Sequence, residues 1–271
     1  MRMEHRLIEL DPEHPGFRDG HYRARRDAIA HIALQYRSGD AVPLAPYSDE
    51  EHAVWRGIRL ALAPVHQQGI ATPLLELERT LDLDTERIPQ LRTVNERLRR
   101  AAGFSMEPVA GLVTPRIFME HLGRRVFLST QYIRHYSRPF YTPEPDVVHE
   151  LVGHAASLLH PGVCALSQAF GLAATCAGPR IMERLTRIYW YTLEFGVLME
   201  AGQVKGYGAG LLSSVGELER ARSGTVQLLP WDLDAVCELD YDPTTFQPHY
   251  LLAPSFEQAL SDIGDWISAQ S

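Results

Sequence analysis

Between Arg187 and Glu200 the chain reads IYWYTLEFGVLM, and Glu194 is the only charge in it. A segment that is apolar nearly all round has no face to give to water, so it belongs inside the protein. It is well short of a membrane span, and no other apolar stretch approaches one. The fold must therefore enclose this segment and bring a cation to Glu194, because a buried, unpaired carboxylate costs several kcal/mol. An arginine would serve. A divalent metal would serve equally if the chain offers further ligands to share it.

At 271 residues the chain can bury such a segment in one large domain or two small ones. The net charge of −8, without any basic run, argues against a nucleic-acid partner. The start, MRMEHRLIELDPEH, has no apolar core of a signal peptide. Cys164, Cys176 and Cys237 are odd in number and lack metal-type spacing, so they read as reduced thiols of a cytoplasmic protein.

The first hundred residues read as helices joined by short loops. Ser48 is a natural N-cap, with Glu51 three residues on and Trp55, Ile58 and Leu62 at helical spacing beyond it. Ile88, Leu91, Val94 and Leu98 form a second stripe, with Pro89 in the first turn and Gly103 as the stop. RRVFLST (124–130) reads as a strand, and YTPEPD (141–146) as a rigid turn whose Pro143 and Pro145 disfavour helix before Asp146. A long helix is expected over 180–202, followed by the glycine-rich bend KGYGAGLLSS. No linker divides the chain. The expectation is one mostly α domain over 1–271, with short β elements.

PDVVHELVGH (145–154) places His149 and His154 five apart around Glu150. The HExxH helix of a zinc protease needs four, because residues four apart share one face. Five apart on a regular α-helix they diverge by roughly 140°. They converge only if His149 sits in a frayed first turn after Asp146, itself a good N-cap. A zinc hydrolase built on His149, Glu150 and His154 is thus the weaker reading, and two structural histidines remain a third. With Glu194 added, two histidines and one carboxylate leave open positions on an octahedral ion, as suits non-haem Fe(II) and oxygen chemistry.

TQYIRH, YTPEPD followed by HELVGH, YWYTLEFG and YGAGLLSSVGEL together resemble the pterin-dependent aromatic amino acid hydroxylases. HPGFRDGHYRARRDAIAHIALQYRSG resembles the entry to the same catalytic domain, and the likeness runs from about 14 to about 262. The resemblance implies a single mostly helical catalytic domain with Fe(II) on His149, His154 and Glu194, and tetrahydrobiopterin and O₂ as co-reactants. It implies that Phe118 stacks on the pterin, that Glu150 lies near it, and that the backbone at Leu112 and Val113 borders it. Arg134 would grip the substrate carboxylate, held by Asp146, with Thr142 and Ser213 adding hydrogen bonds. Pro145, Trp190, Phe195 and Gly210 would wall the aromatic ring.

The substrate so implied is L-phenylalanine, hydroxylated to L-tyrosine. Trp190 stands where tryptophan-using relatives tend to carry Phe, and YTPEPD differs from the tyrosine-using spelling. Leu252 aligns with a position acidic in tyrosine enzymes. Tryptophan 5-hydroxylation and phenylalanine 3-hydroxylation are the alternatives, the latter because the unusual Thr175 and Cys176 could tilt the ring. Leu128 replaces a His or Gln that contacts the pterin in several relatives. The resemblance also implies no regulatory domain, no tetramerisation arm, and a monomer or dimer; the lack of a long apolar stretch argues against a membrane partner.

Overall fold

The computed structural model describes residues 10–142 and 144–270. Pro143, Ser271 and the first nine residues lie outside that range. Four helices open the chain: α1 (Gly20–Gln35), α2 (Asp49–Gly69), α3 (Thr72–Leu81) and α4 (Leu91–Ala102). α2 starts at the predicted capping box: Glu51 N donates to Ser48 Oγ (3.2 Å) and Ser48 N to Glu51 Oε2 (2.7 Å). Its stripe of Trp55, Ile58 and Leu62 is buried. α4 buries Leu91, Val94 and Leu98 and stops at Gly103, whose φ of 67° is the left-handed cap glycine adopts freely. Pro89 precedes this helix instead of occupying its first turn, because Gln90 is the N-cap.

β1 (Ser105–Pro108) pairs in parallel with β2 (Val126–Ser129), and α5 (Pro115–Gly123) connects them. After β2 the chain passes through the 130–146 loops into a π-helical segment, His149–Ala155, and then α6 (Pro161–Cys176). α7 (Pro179–Tyr189) runs directly into a second π-helical segment, Trp190–Glu194. The long helix expected over 180–202 therefore ends early. The apolar residues beyond it enter β3 (Val197–Glu200), which turns back at Ala201 and Gly202 into β4 (Gln203–Gly206). Both turn residues have positive φ (49° and 73°), the geometry of a two-residue hairpin turn.

The rest of the chain is α8 (Ala209–Leu212), α9 (Val215–Arg222), β5 (Gln227–Leu229), α10 (Leu233–Val236), β6 (His249–Ala253) and α11 (Phe256–Ser268). β4, β3, β6 and β5 form one sheet in that order, parallel except for the β3–β4 hairpin. One apolar cluster runs through the helices and both sheets, with Trp55, Phe104, Phe170, Leu185 and Tyr250 at or near zero exposure. Leu151, Val152 and Ala155 anchor the first π-helical segment in it. α8 crosses that segment closely: a Cβ at Gly153 would lie 2.7 Å from Ala209 O, so only glycine permits the approach. Among the described residues no helix is long and apolar enough to cross a membrane. Cys164 and Cys237 are buried free thiols, and Cys176 is an exposed one.

Candidate metal centre

His149, His154 and Glu194 converge in the interior, with one potential ligand atom from each lying within 4.8 Å of the others. His154 Nε2 is 3.0 Å from Glu194 Oε1, and His149 Nε2 is 3.5 Å from Glu194 Oε2. The two Nε2 atoms face each other at 2.9 Å. The convergence does not come from fraying at the helix start. In a π-helix hydrogen bonds run from i to i+5, so residues five apart meet across one wide turn. Glu194 closes the second such segment. Asp146 nevertheless caps the helix as expected: its Oδ1 accepts from His149 N (3.1 Å).

No arginine or lysine reaches Glu194 among the described residues; its partners are the two histidines. Burial raises the Glu194 carboxyl, but the histidines outweigh burial and hold it below the usual range. Burial pushes His149 down to about 4, so its ring is neutral and its Nε2 lone pair is available. At His154 burial also lowers the value, but Glu194 outweighs it and leaves the net shift upward. Ser213 fixes the His149 tautomer. Its hydroxyl donates to Ala209 O (2.9 Å), which leaves the oxygen to accept from His149 Nδ1, 3.0 Å away. Two imidazole nitrogens, one of them oriented from behind by Ser213, and a carboxylate oxygen face one point and fit a divalent ion that retains open positions.

Glu150 turns away from this point. Thr130 N donates to Glu150 Oε1 (3.0 Å), and Thr130 Oγ1 lies 3.0 Å from the same oxygen. Burial pushes the Glu150 carboxyl up to about 8. Its hydrogen bonds commit the carboxylate to Thr130, which weighs against the zinc hydrolase reading, where Glu150 would have to serve metal-bound water.

Arg134 and Asp146 form a buried pair with side chains 2% and 0% exposed, so each neutralises a charge that water cannot reach. Asp146 accepts from Arg134 Nε (2.9 Å), Nη2 (2.6 Å) and backbone N (2.8 Å). The Nε–Nη2 edge is thus committed. Nη1 donates to Ser213 O (3.1 Å) and also reaches Pro139 O (3.5 Å), so a substrate carboxylate would meet the second Nη2 proton instead of the whole fork. Arg134 lines a cavity of about 260 Å³ with His14, Arg138, Tyr141, Thr142 and Thr244. The Thr142 hydroxyl there is buried without a partner.

Trp190 stands four residues before Glu194 and packs against Phe195, ring centroids 4.7 Å apart. Gly210 admits the Phe195 ring, since a Cβ there would lie 2.5 Å from it. Pro145 is half-buried beside Asp146 and accepts from Thr130 Oγ1 (3.1 Å). Phe118, on α5, is half-buried and meets Phe127 and Tyr189 edge-on at 5.3 and 5.6 Å. Leu112 is exposed and Val113 half-buried in the loop before α5. Their peptide groups bond to no described residue, which fits a ligand with hydrogen-bonding edges. Leu128 is buried on β2, and Leu252 is half-buried on β6 beside Val197. Thr175 and Cys176 are exposed at the end of α6, so they cannot tilt a ring bound near the metal centre.

A family profile described as biopterin-dependent aromatic amino acid hydroxylase matches residues 2–270. The chain belongs to this family. It is 42% identical to phenylalanine-4-hydroxylase of Caenorhabditis elegans over 264 residues, 95% of this chain and 57% of that protein. It is also 42% identical to tyrosine 3-monooxygenase of Drosophila melanogaster over 269 residues, 97% of this chain and 46% of that protein. The chain thus spans about half the length of the curated relatives it matches. Phenylalanine hydroxylase from Chromobacterium violaceum, solved with bound iron(III) and oxidized 7,8-dihydrobiopterin, matches the fold with a TM-score of 0.79. That match has 30% identity and covers 91% of this chain and 90% of the other. Since identity to these two enzymes is the same, substrate preference has to be argued from the pocket.

Tyr241 and Gln247 contribute to this region, and neither is among the sequence-predicted residues of the site. Each acts through a contact distant along the chain, where no periodicity reaches.

Proposed function

We propose that this chain is a non-haem iron, tetrahydropterin-dependent monooxygenase that hydroxylates L-phenylalanine on its ring to give L-tyrosine. The observation that carries the reading is the convergence of His149, His154 and Glu194 on one buried point, with Ser213 setting the His149 tautomer. Fe(II) is the ion such a ligand set suits, and a tetrahydropterin docks beside α5 against Phe118, with the free peptide groups of Leu112 and Val113 at its edge. When bound, iron and pterin together supply the activation of O₂ that an aromatic ring requires.

The protein's own residues do the rest. Arg134, braced by Asp146, presents its remaining Nη2 proton and its positive charge to the amino acid carboxylate, and the unpartnered Thr142 hydroxyl stands in the same cavity. Pro145, Trp190, Phe195 and Gly210 enclose the ring and keep water from it. Phenylalanine suits this wall better than tyrosine. The one polar group of Trp190, its indole N–H, already donates to Gln247 Oε1 (2.9 Å). A phenol hydroxyl buried here would lack that donor, a loss of about 1–3 kcal/mol.

Chromatography of products from iron-loaded protein, tetrahydropterin, O₂ and each aromatic amino acid tests the assignment. A para-tyrosine peak from phenylalanine is the expected result. Meta-tyrosine would keep the substrate and overturn the position, and turnover of tryptophan alone would refute both.

A further inference from the structure

The buried amide of Gln247 has every hydrogen-bonding group in use. Its Oε1 accepts from Trp190 Nε1 (2.9 Å), and its Nε2 donates to Asp242 O (3.2 Å) and Thr245 O (3.1 Å). Its backbone is pinned as well: Gln247 N donates to Glu217 Oε1 (2.9 Å), and Arg220 Nε donates to Gln247 O (3.3 Å). Glu217 Oε1 is itself fixed by the Tyr250 hydroxyl (2.8 Å). The amide cannot flip. Reversed, its oxygen would face two carbonyls and its NH₂ would face the indole N–H, replacing three good contacts with like against like. The acceptor offered to Trp190 therefore has one position.

Tyr241 braces the same indole from its face, with centroids 4.3 Å apart and planes within 19°. The loop carrying Tyr241 is tied to α7 and the second π-helical segment. Arg187 Nη2 donates to Asp240 Oδ1 (2.7 Å), Arg187 Nη1 to Cys237 O (3.1 Å), and the Tyr191 hydroxyl to Asp240 O (2.8 Å). Phe195 meets the indole as well. The indole is held by its N–H and by two rings, one turn away from Glu194.

We propose that Gln247 is a positioning residue that locks the Trp190 indole, with Tyr241 as its second brace, and thereby sets the size of aromatic ring the site accepts. This inference rests on the proposed function, since it assigns the lock to the substrate wall of that same site. A fixed indole leaves room for a phenyl ring, whereas one free to swing opens space for the larger indole of tryptophan. Excluding a bulkier ring by a wall needs the wall held rigidly, because a side chain that rotates away at little cost discriminates weakly.

The test is the ratio of kcat/KM for phenylalanine to that for tryptophan, measured on the iron-loaded protein with tetrahydropterin. Gln247→Leu keeps similar bulk and removes the acceptor, and it should lower the ratio roughly three- to tenfold. Trp190→Phe removes the donor, so Gln247→Leu added to it should change the ratio no further. Indole ¹⁵N–¹H spectra give a readout independent of turnover. The Trp190 cross-peak, identified by its loss in Trp190→Phe, should shift in Gln247→Leu while those of Trp55, Trp231 and Trp266 stay in place. If Gln247→Leu does not fold, Tyr241→Ala removes the stacking brace alone and should lower the same ratio. An unchanged ratio with a shifted cross-peak would overturn the inference and leave the proposed function standing. So would an equal drop in the Trp190→Phe background. Failure of the wild-type protein to turn over any aromatic amino acid would instead refute the proposed function, and the inference with it.

Discussion

Ser213→Ala removes one hydroxyl, and the geometry indicates where the effect should be felt. The Ser213 oxygen lies 3.0 Å from His149 Nδ1 and its proton is committed to Ala209 O, so the pair holds His149 with Nε2 bare toward Glu194 and His154. Without the serine the ring is free to rotate and to place a proton on Nε2, which must be displaced before a metal binds. Loss of such an orienting partner weakens metal affinity about 10- to 100-fold, or about 1.4–2.7 kcal/mol. Ala209 O loses the hydroxyl but still accepts from Ser213 N (3.1 Å), so the fold should survive. Anaerobic titration with Fe(II) against a competing chelator measures the effect, and the melting temperature of the metal-free protein controls for folding. Affinity unchanged within twofold, with the same melting temperature, would show that the tautomer is set elsewhere and would refute the reasoning.

Phe118→Ala should chiefly raise the apparent KM for tetrahydropterin, several-fold to about tenfold, since stacking contributes roughly 0.5–1.5 kcal/mol beyond burial; an unchanged KM in steady-state kinetics would make Phe118 a core residue only. Arg134→Lys should lower kcat/KM for the amino acid by about 2–3 kcal/mol in free-energy terms, because a lysine cannot hold Asp146 through two nitrogens while reaching a carboxylate; equal efficiency would place the carboxylate elsewhere. Glu78 offers a pH test away from the site. Burial raises its carboxyl, but the hydrogen bond and attraction of His66 (2.8 Å), together with Arg59 (2.7 Å), hold it at about 2. A depressed carboxylate stabilises the fold above its unfolded value, near 4.5, and the contribution fades as pH falls toward 2. Glu78→Gln should therefore lose on the order of 3 kcal/mol at neutral pH in denaturant titrations and show a flatter decline between pH 4.5 and 2 than the parent.

What was legible in the sequence was local or chemically extreme. The Ser48–Glu51 box, the Leu91–Val94–Leu98 stripe and the Gly103 stop are written in neighbouring residues, and each stands where expected apart from the offset of Pro89. Glu194 was legible because a lone carboxylate in an apolar run demands a cation, wherever that cation comes from. The winding of the two ligand segments was not. Nothing in HELVGH separates a frayed α turn from a π turn, because the choice is made by the packing of Leu151 and Val152 into the core and by α8 crossing at Gly153. VLME after Phe195 looked helical by continuity. It became a strand because the hairpin at Ala201–Gly202 and the distant β6 gave its peptide groups partners. Gln247 was illegible for a related reason: its partner, Trp190, is brought to it only by the completed fold.

The two π turns also make chain length, more than side-chain identity, the fragile variable of this centre. His149 and His154 are in phase only because one extra residue is accommodated between them, and Trp190–Glu194 repeats the device on the facing element. Exchanging Leu151 for another aliphatic alters packing and leaves both imidazoles aimed at one point. Deleting a single residue between the histidines would let an α turn close with every ligand type still present. The following chain would then rotate by roughly 100° per residue lost, carrying the fit of Gly153 under α8 out of register as well. The inserted residue behaves as a spacer whose function is purely one of phase.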